Sequence, residues 1–111
     1  MTIEKMDEVV QEQLIYCKSL LVKKGNEYAD EKLDRLQAFK TAAKMQGITP
    51  EQALAGMMCK HTVSVYDMIA AGSSDLTMWE EKITDHINYL LLLKCLIMDE
   101  IEGKDGETNA V

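Results

Sequence analysis

An all-α fold, a four-helix bundle completed by further copies of the same chain, is predicted by three features of the sequence. The apolar content is 47% but only 5% of residues are aromatic. Aliphatic side chains with eight Met suit helix packing, whereas sheets favour β-branched and aromatic residues. The lone Pro, Pro50, stands where a helix can begin, and glycines punctuate the chain at helix-length intervals. Apolar residues recur at three- and four-residue steps through four segments. The 111 residues make one domain and not two. Its own core is modest, because a chain this size buries only about two-thirds of its unfolded surface.

The first helix is predicted from Ile3 to Lys24. Ile3, Met6, Val10, Leu14, Cys17 and Leu21 form one stripe. Gly25 is its expected stop, with Lys23 and Lys24 suited to the dipole of the last turn. A polar stretch, Asn26 to Glu31, follows. The second helix covers Leu33 to Gln46, with Leu36, Phe39 and Ala43 on one side and Gly47 as its end. Thr49-Pro50-Glu51-Gln52 is a start signal: Thr49 caps, Pro50 fits the first helical position and Gln52 completes a capping box. The third helix runs from there to Ala71, and Gly72 stops it. Thr77 with Glu80 predicts a second capping box for the fourth helix, which extends to Glu102 and ends at Gly103. Residues 1–103 are thus a single helical domain, and 104–111 a polar, disordered tail.

The fourth helix predicts association. Its first half has a stripe of Trp79, Ile83, Ile87 and Leu90, and its second half is apolar nearly all round, Leu90 to Met98. A helix apolar on every side must be covered on every side, which three other helices of one subunit scarcely achieve. A homodimer or homotetramer is expected.

Charge and cysteine usage exclude several classes. The net charge of -7 lacks the basic surface that a nucleic-acid polymer requires. Free nucleotides fit better, since a divalent cation bridges acidic side chains to phosphates. Three widely spaced cysteines, Cys17, Cys59 and Cys95, argue against a disulfide framework or zinc site, so buried, reduced thiols are expected. Met1-Thr2-Ile3-Glu4-Lys5 has no apolar signal core, and Leu90 to Met98 is too short, with Lys94 inside it, to span a bilayer. The cytosol is the expected compartment.

On the fourth helix Glu81, Asp85 and Asn88 fall on one line by steps of four and three, and that line continues through Leu92 and Cys95. Carboxylates on a partly covered face need partners, and a hard cation such as Mg²⁺ is a good one. The plain alternative is a solvated first half with acids favoured by the helix dipole. Glu27, Asp30 and Glu31 cluster after the first helix, either as an ordinary acidic loop or as a second set of metal ligands beside Lys24. Lys60, Ser64 and Asp67 share another side of the third helix, where Lys60 offers a point charge for phosphate or is simply solvated. His61 falls within the apolar stripe of the third helix, Leu54, Met57, Met58, Val65 and Met68, and reads first as a core or edge histidine. His86 follows Asp85 but on a different face. There is no Glu-x-x-His, no Gly-rich phosphate loop and no His-Glu-x-x-His.

The order Lys24-Gly25-Asn26-Glu27-Tyr28-Ala29, Arg35-Leu36 with Phe39, Lys60-His61 with Ser64 and Asp67-Met68, then Glu81-Lys82-Ile83 with Asp85 and Asn88-Tyr89-Leu90, resembles a phage and prophage family described as a nucleotide-modification-associated domain. That family is similar in turn to the MazG-like all-α nucleotide pyrophosphohydrolases. Nearly the whole chain from first to fourth helix takes part, and Asp85-x-x-Asn88-Tyr89-Leu90 is the most specific segment. The resemblance implies a bundle whose acids bind Mg²⁺ or Mn²⁺ and which splits a nucleoside triphosphate into monophosphate and pyrophosphate. It implies metal ligation by Glu27, Asp30, Glu81 and Asp85, with Glu27 or Glu81 acting on the attacking water. Lys24, Lys60 and Asn88 would contact phosphates or sugar. The chain departs from the MazG-like pattern where Lys82 replaces the first acid of Glu-x-x-Asp, with Glu81 one residue away. The third helix also offers Lys60, Ser64 and Asp67 in place of Glu-x-x-Glu. These departures motivate the alternative of a non-catalytic helical adaptor or regulator.

Overall fold

The computed structural model describes the backbone of residues 1–27, 34 and 36–109, and the side chains of residues 1–22, 34 and 36–103. Four helices are present: α1 (Ile3–Glu27), α2 (Gln37–Gln46), α3 (Pro50–Ala71) and α4 (Leu76–Asn109). The all-α expectation holds, and no strand occurs among the described residues.

Two helix stops follow local chemistry. Gly47 and Gly72 adopt φ of 66° and 65°, the left-handed conformation open to glycine, and their N–H groups donate to carbonyls of the preceding turn. Thr49 caps α3 as predicted: its hydroxyl accepts from the Gln52 N–H at 3.1 Å, and the Gln52 side chain accepts the Thr49 N–H at 3.0 Å.

Four boundaries differ from expectation. α1 passes Gly25 and continues to Glu27. α4 passes Gly103 and stays helical to Asn109, so most of the predicted disordered tail, 104–111, has helical backbone. Gly103 does not take a positive φ. A glycine that stays helical costs only about 1 kcal/mol relative to Ala, too little to end a helix by itself. α2 begins at Gln37 rather than Leu33. Asp34 acts from outside it: the carboxylate accepts the Leu36 N–H at 2.9 Å, and the carbonyl accepts the Gln37 N–H at 3.0 Å. α4 starts at Leu76, two residues earlier than a Thr77 cap would allow. The Asp75 carboxylate accepts the Met78 N–H at 3.1 Å and so takes the capping role.

α4 is the central element. α3 runs antiparallel beside it, joined through the turn at Gly72–Asp75, where the Trp79 indole N–H donates to the Ser73 carbonyl at 2.8 Å. α2 folds back on α3, and Leu36, Phe39, Leu54 and Leu96 form the core, with Met57, Tyr89, Leu92 and Leu93 against it. α1 lies along the opposite side of α4 in the same direction, since Gln13 meets Thr84 while Leu20 and Leu21 lie further along beside Asn88 and Leu92. The Gln13 amide donates to the buried Thr84 hydroxyl at 2.8 Å, which satisfies a hydroxyl only 1% exposed. Among the described residues α1 packs against α4. The radius of gyration is 17.1 Å, against about 13 Å for a compact domain of this length.

Lys40 ties α2 to α4. Its ammonium pairs with Asp34 and lies 2.8 Å from Asp99. The Lys40 hydrogen bond, then the Leu36 N–H, hold the Asp34 carboxyl below its ordinary 3.8. Asp34, then Asp99, hold Lys40 above 10.5. A depressed carboxylate stabilises the fold above its unfolded value and loses that contribution as pH falls through its folded value. A raised lysine stabilises below its unfolded value and loses the contribution as pH rises through its folded value. The stability difference between the native chain and Lys40→Met is therefore expected to be steady between these limits and to shrink below pH 3.8 and above pH 10.5. Urea titrations across pH check this; a difference that does not change with pH contradicts it. The effect is small, because these side chains are a third or more exposed to screening solvent.

Candidate functional site

A cleft of about 260 Å³ opens between α1 and α3 with α4 as its floor. Asp85, Asn88 and Leu92 form that floor, one helical line as their spacing predicts. Leu20 and Leu21 make the α1 wall, His61 comes from α3 and Phe39 from α2. Tyr89 completes it, its ring 4.9 Å from that of His61 and tilted by 42°. The lining combines apolar walls with few polar groups, the usual make-up of a small-molecule site.

Asn88 is the least settled group in this lining. It is 9% exposed, and its Oδ1 is buried with no hydrogen-bond partner among the described residues. Leaving a buried acceptor unsatisfied costs about 1–3 kcal/mol, so a ligand donor or cation is the natural complement. Asp85 is half-buried, and one carboxylate oxygen lies 3.9 Å from His61 Nδ1. That separation is too long for a hydrogen bond and is an ion pair only when His61 is protonated. His86 sits elsewhere: its Nε2 is 3.4 Å from the Thr62 hydroxyl, away from Asp85 as their sequence adjacency implies.

The predicted site residues divide. Asp85 and Asn88 share the cleft. Glu81, one turn before Asp85, is exposed and outside the lining. Lys60 is exposed too, because its neighbour His61 takes the inward azimuth of α3. The side chains of Lys24, Glu27 and Asp30 lie outside the described residues, although the backbone of α1 leads from Leu20 and Leu21 in the cleft wall to Glu27. Among the described residues no three His, Cys, Asp or Glu side chains converge as a metal set. Asp85 and the Asn88 Oδ1 supply two oxygen donors to one cleft, and Mg²⁺ commonly uses one or two carboxylates with water and substrate phosphates for the rest.

His61 is the residue that sequence reading left among core positions. A signal existed. The Gly72–Asp75 turn makes α3 and α4 an antiparallel pair, and His61 and Asp85 each stand about three helical turns from it. The cysteines also differ from expectation: Cys17 is buried, but Cys59 and Cys95 are exposed. No helix among the described residues is long and apolar enough to cross a membrane. No protein-family model matches the chain, and no curated protein and no solved structure shows significant similarity to it.

Proposed function

We propose that the chain is a Mg²⁺-dependent nucleoside triphosphate pyrophosphohydrolase of MazG-like arrangement, acting on free nucleotides in the cytosol in phage or prophage nucleotide metabolism. The observation that carries it is that Asp85 shares one apolar-walled cleft with a buried Asn88 Oδ1 that has no partner among the described residues. The motif order from Lys24 to Leu90 supports the same chemistry. Bound Mg²⁺ (or Mn²⁺) would neutralise the triphosphate and activate water. Asp85 holds the metal, with Glu27, Asp30 and Glu81 as the further acids. His61 and Tyr89 offer ring faces to a base, and Asn88 fixes the sugar or a phosphate. Lys24 and Lys60 contact phosphates. The water oxygen attacks the α-phosphorus in line, the bond to the α–β bridging oxygen breaks and pyrophosphate leaves. The water proton passes to Glu27 or Glu81.

The test is pyrophosphate release from each NTP and dNTP, with Mg²⁺ and then with EDTA. Release that needs metal and falls about 100-fold or more in Asp85→Ala supports the proposal, because the loss of a metal ligand weakens transition-state stabilisation by several kcal/mol. No metal-dependent release from any nucleotide refutes it. A second function, a non-catalytic helical adaptor, is favoured by the exposure of Glu81 and the lack of three converging donors among the described residues. That function predicts that Asp85→Ala leaves the protein's biological effect intact.

A further inference from the structure

We infer that the outward face of α4 is the interface with a second copy of this chain, paired antiparallel about a two-fold axis at Ile87. Leu76, Ile83, Ile87, Leu90, Ile97 and Ile101 recur at three-, four- and seven-residue steps along α4, on the side turned away from the core residue Leu96. Leu76 is 69% exposed, Leu90 51% and Ile101 53%. A stripe that repeats every seven residues is the seam of a helix pair packed at a shallow crossing angle. At its N-terminal end the stripe borders a groove of about 470 Å³ against α1, closed by Val9, Tyr16 and Trp79.

The occupant follows from area and charge. The protomer exposes 8548 Å². A compact monomer of its 12.5 kDa exposes about 6,200 Å², so the surplus of about 2,300 Å² exceeds the ~800 Å² per partner of a standard interface. Two charges bracket the stripe, Glu80 and Lys94, and both are exposed. Neither makes an ion pair among the described residues. They stand at equal distances either side of Ile87. An antiparallel two-fold at Ile87 sets Glu80 of one copy against Lys94 of the other, twice, and brings Ile83 opposite Leu91. A self-complementary patch is what a closed dimer requires. Lys94, a charge within an apolar run, gains a counter-ion in this register. The contact lies on the face of α4 opposite the cleft floor, so it stands whether or not the cleft hydrolyses nucleotides.

The experiment is sedimentation equilibrium of the full chain and of Glu80→Lys, Lys94→Glu and the double reversal, with circular dichroism to check helicity. The native chain is expected at twice its 12.5 kDa mass, or as a pair of such dimers. Each single reversal is expected to weaken the dimer about tenfold by setting like charges together at both symmetric positions, and the double reversal to restore it. Ile87→Cys, made with Cys59→Ser and Cys95→Ser, is expected to form an intermolecular disulfide under mild oxidation. A monomeric native chain overturns the inference and leaves the stripe to a different protein. A dimer indifferent to single reversals, not rescued by the double, or not cross-linked through position 87 overturns this interface.

Discussion

Asn88→Leu is expected to stabilise the fold while weakening nucleotide binding at least tenfold. The amide oxygen of Asn88 is buried without a hydrogen-bond partner among the described residues. Leucine keeps the branched shape of four side-chain heavy atoms, is bulkier, and removes the unsatisfied acceptor, whose burial costs about 1–3 kcal/mol; the open cleft beside Asn88 takes the extra bulk. Thermal melting and urea titration should both shift towards greater stability by that order. Binding of a non-hydrolysable triphosphate with Mg²⁺ should weaken at least tenfold, since the group that fixes sugar or phosphate is gone. Unchanged affinity would remove Asn88 from the site. Lower stability would mean that the amide has a structural partner after all.

Leu54→Ala is expected to produce the largest loss of stability of any single truncation. Leu54 is fully buried, at 0% exposure, where α2, α3 and α4 meet through Leu36, Phe39 and Leu96. Truncation removes transfer free energy and leaves a cavity, for a loss of about 3–5 kcal/mol. Domains have total stabilities of only about 5–15 kcal/mol, so the variant sits near the edge of folding. Denaturation at a fixed protein concentration checks this, since association would add concentration dependence. A loss below about 1 kcal/mol would show that the core relaxes around the site.

What the sequence made legible was local. Thr49-Pro50-Glu51-Gln52 and the stops at Gly47 and Gly72 depend on a few adjacent residues and their own backbone geometry. Gly25 and Gly103 looked alike in sequence, but a glycine ends a helix only if the following chain can satisfy the freed carbonyls. The start of α2 was hidden because its organising residue, Asp34, lies outside it and also answers to Lys40. The ladder of Glu81, Asp85 and Asn88 was readable from helical periodicity alone. Its division into an exposed Glu81 and a cleft holding Asp85 and Asn88 depends on where α1 and α3 happen to cover α4. That covering is tertiary, as is the Gln13–Thr84 hydrogen bond, and neither has a short-range signature. The apolar stripe of Trp79, Ile83, Ile87 and Leu90 was readable from periodicity, but which of these residues stay exposed, as Ile83 and Leu90 do, depends on where the other helices cover α4.

Crystals soaked with Mn²⁺ and an α,β-non-hydrolysable dNTP test the central claim most directly. Anomalous density about 2.1 Å from an Asp85 carboxylate oxygen, with the nucleotide against His61 and Tyr89 and within reach of Asn88, is the predicted result. Manganese bound away from Asp85, with no nucleotide between α1 and α3, would contradict it.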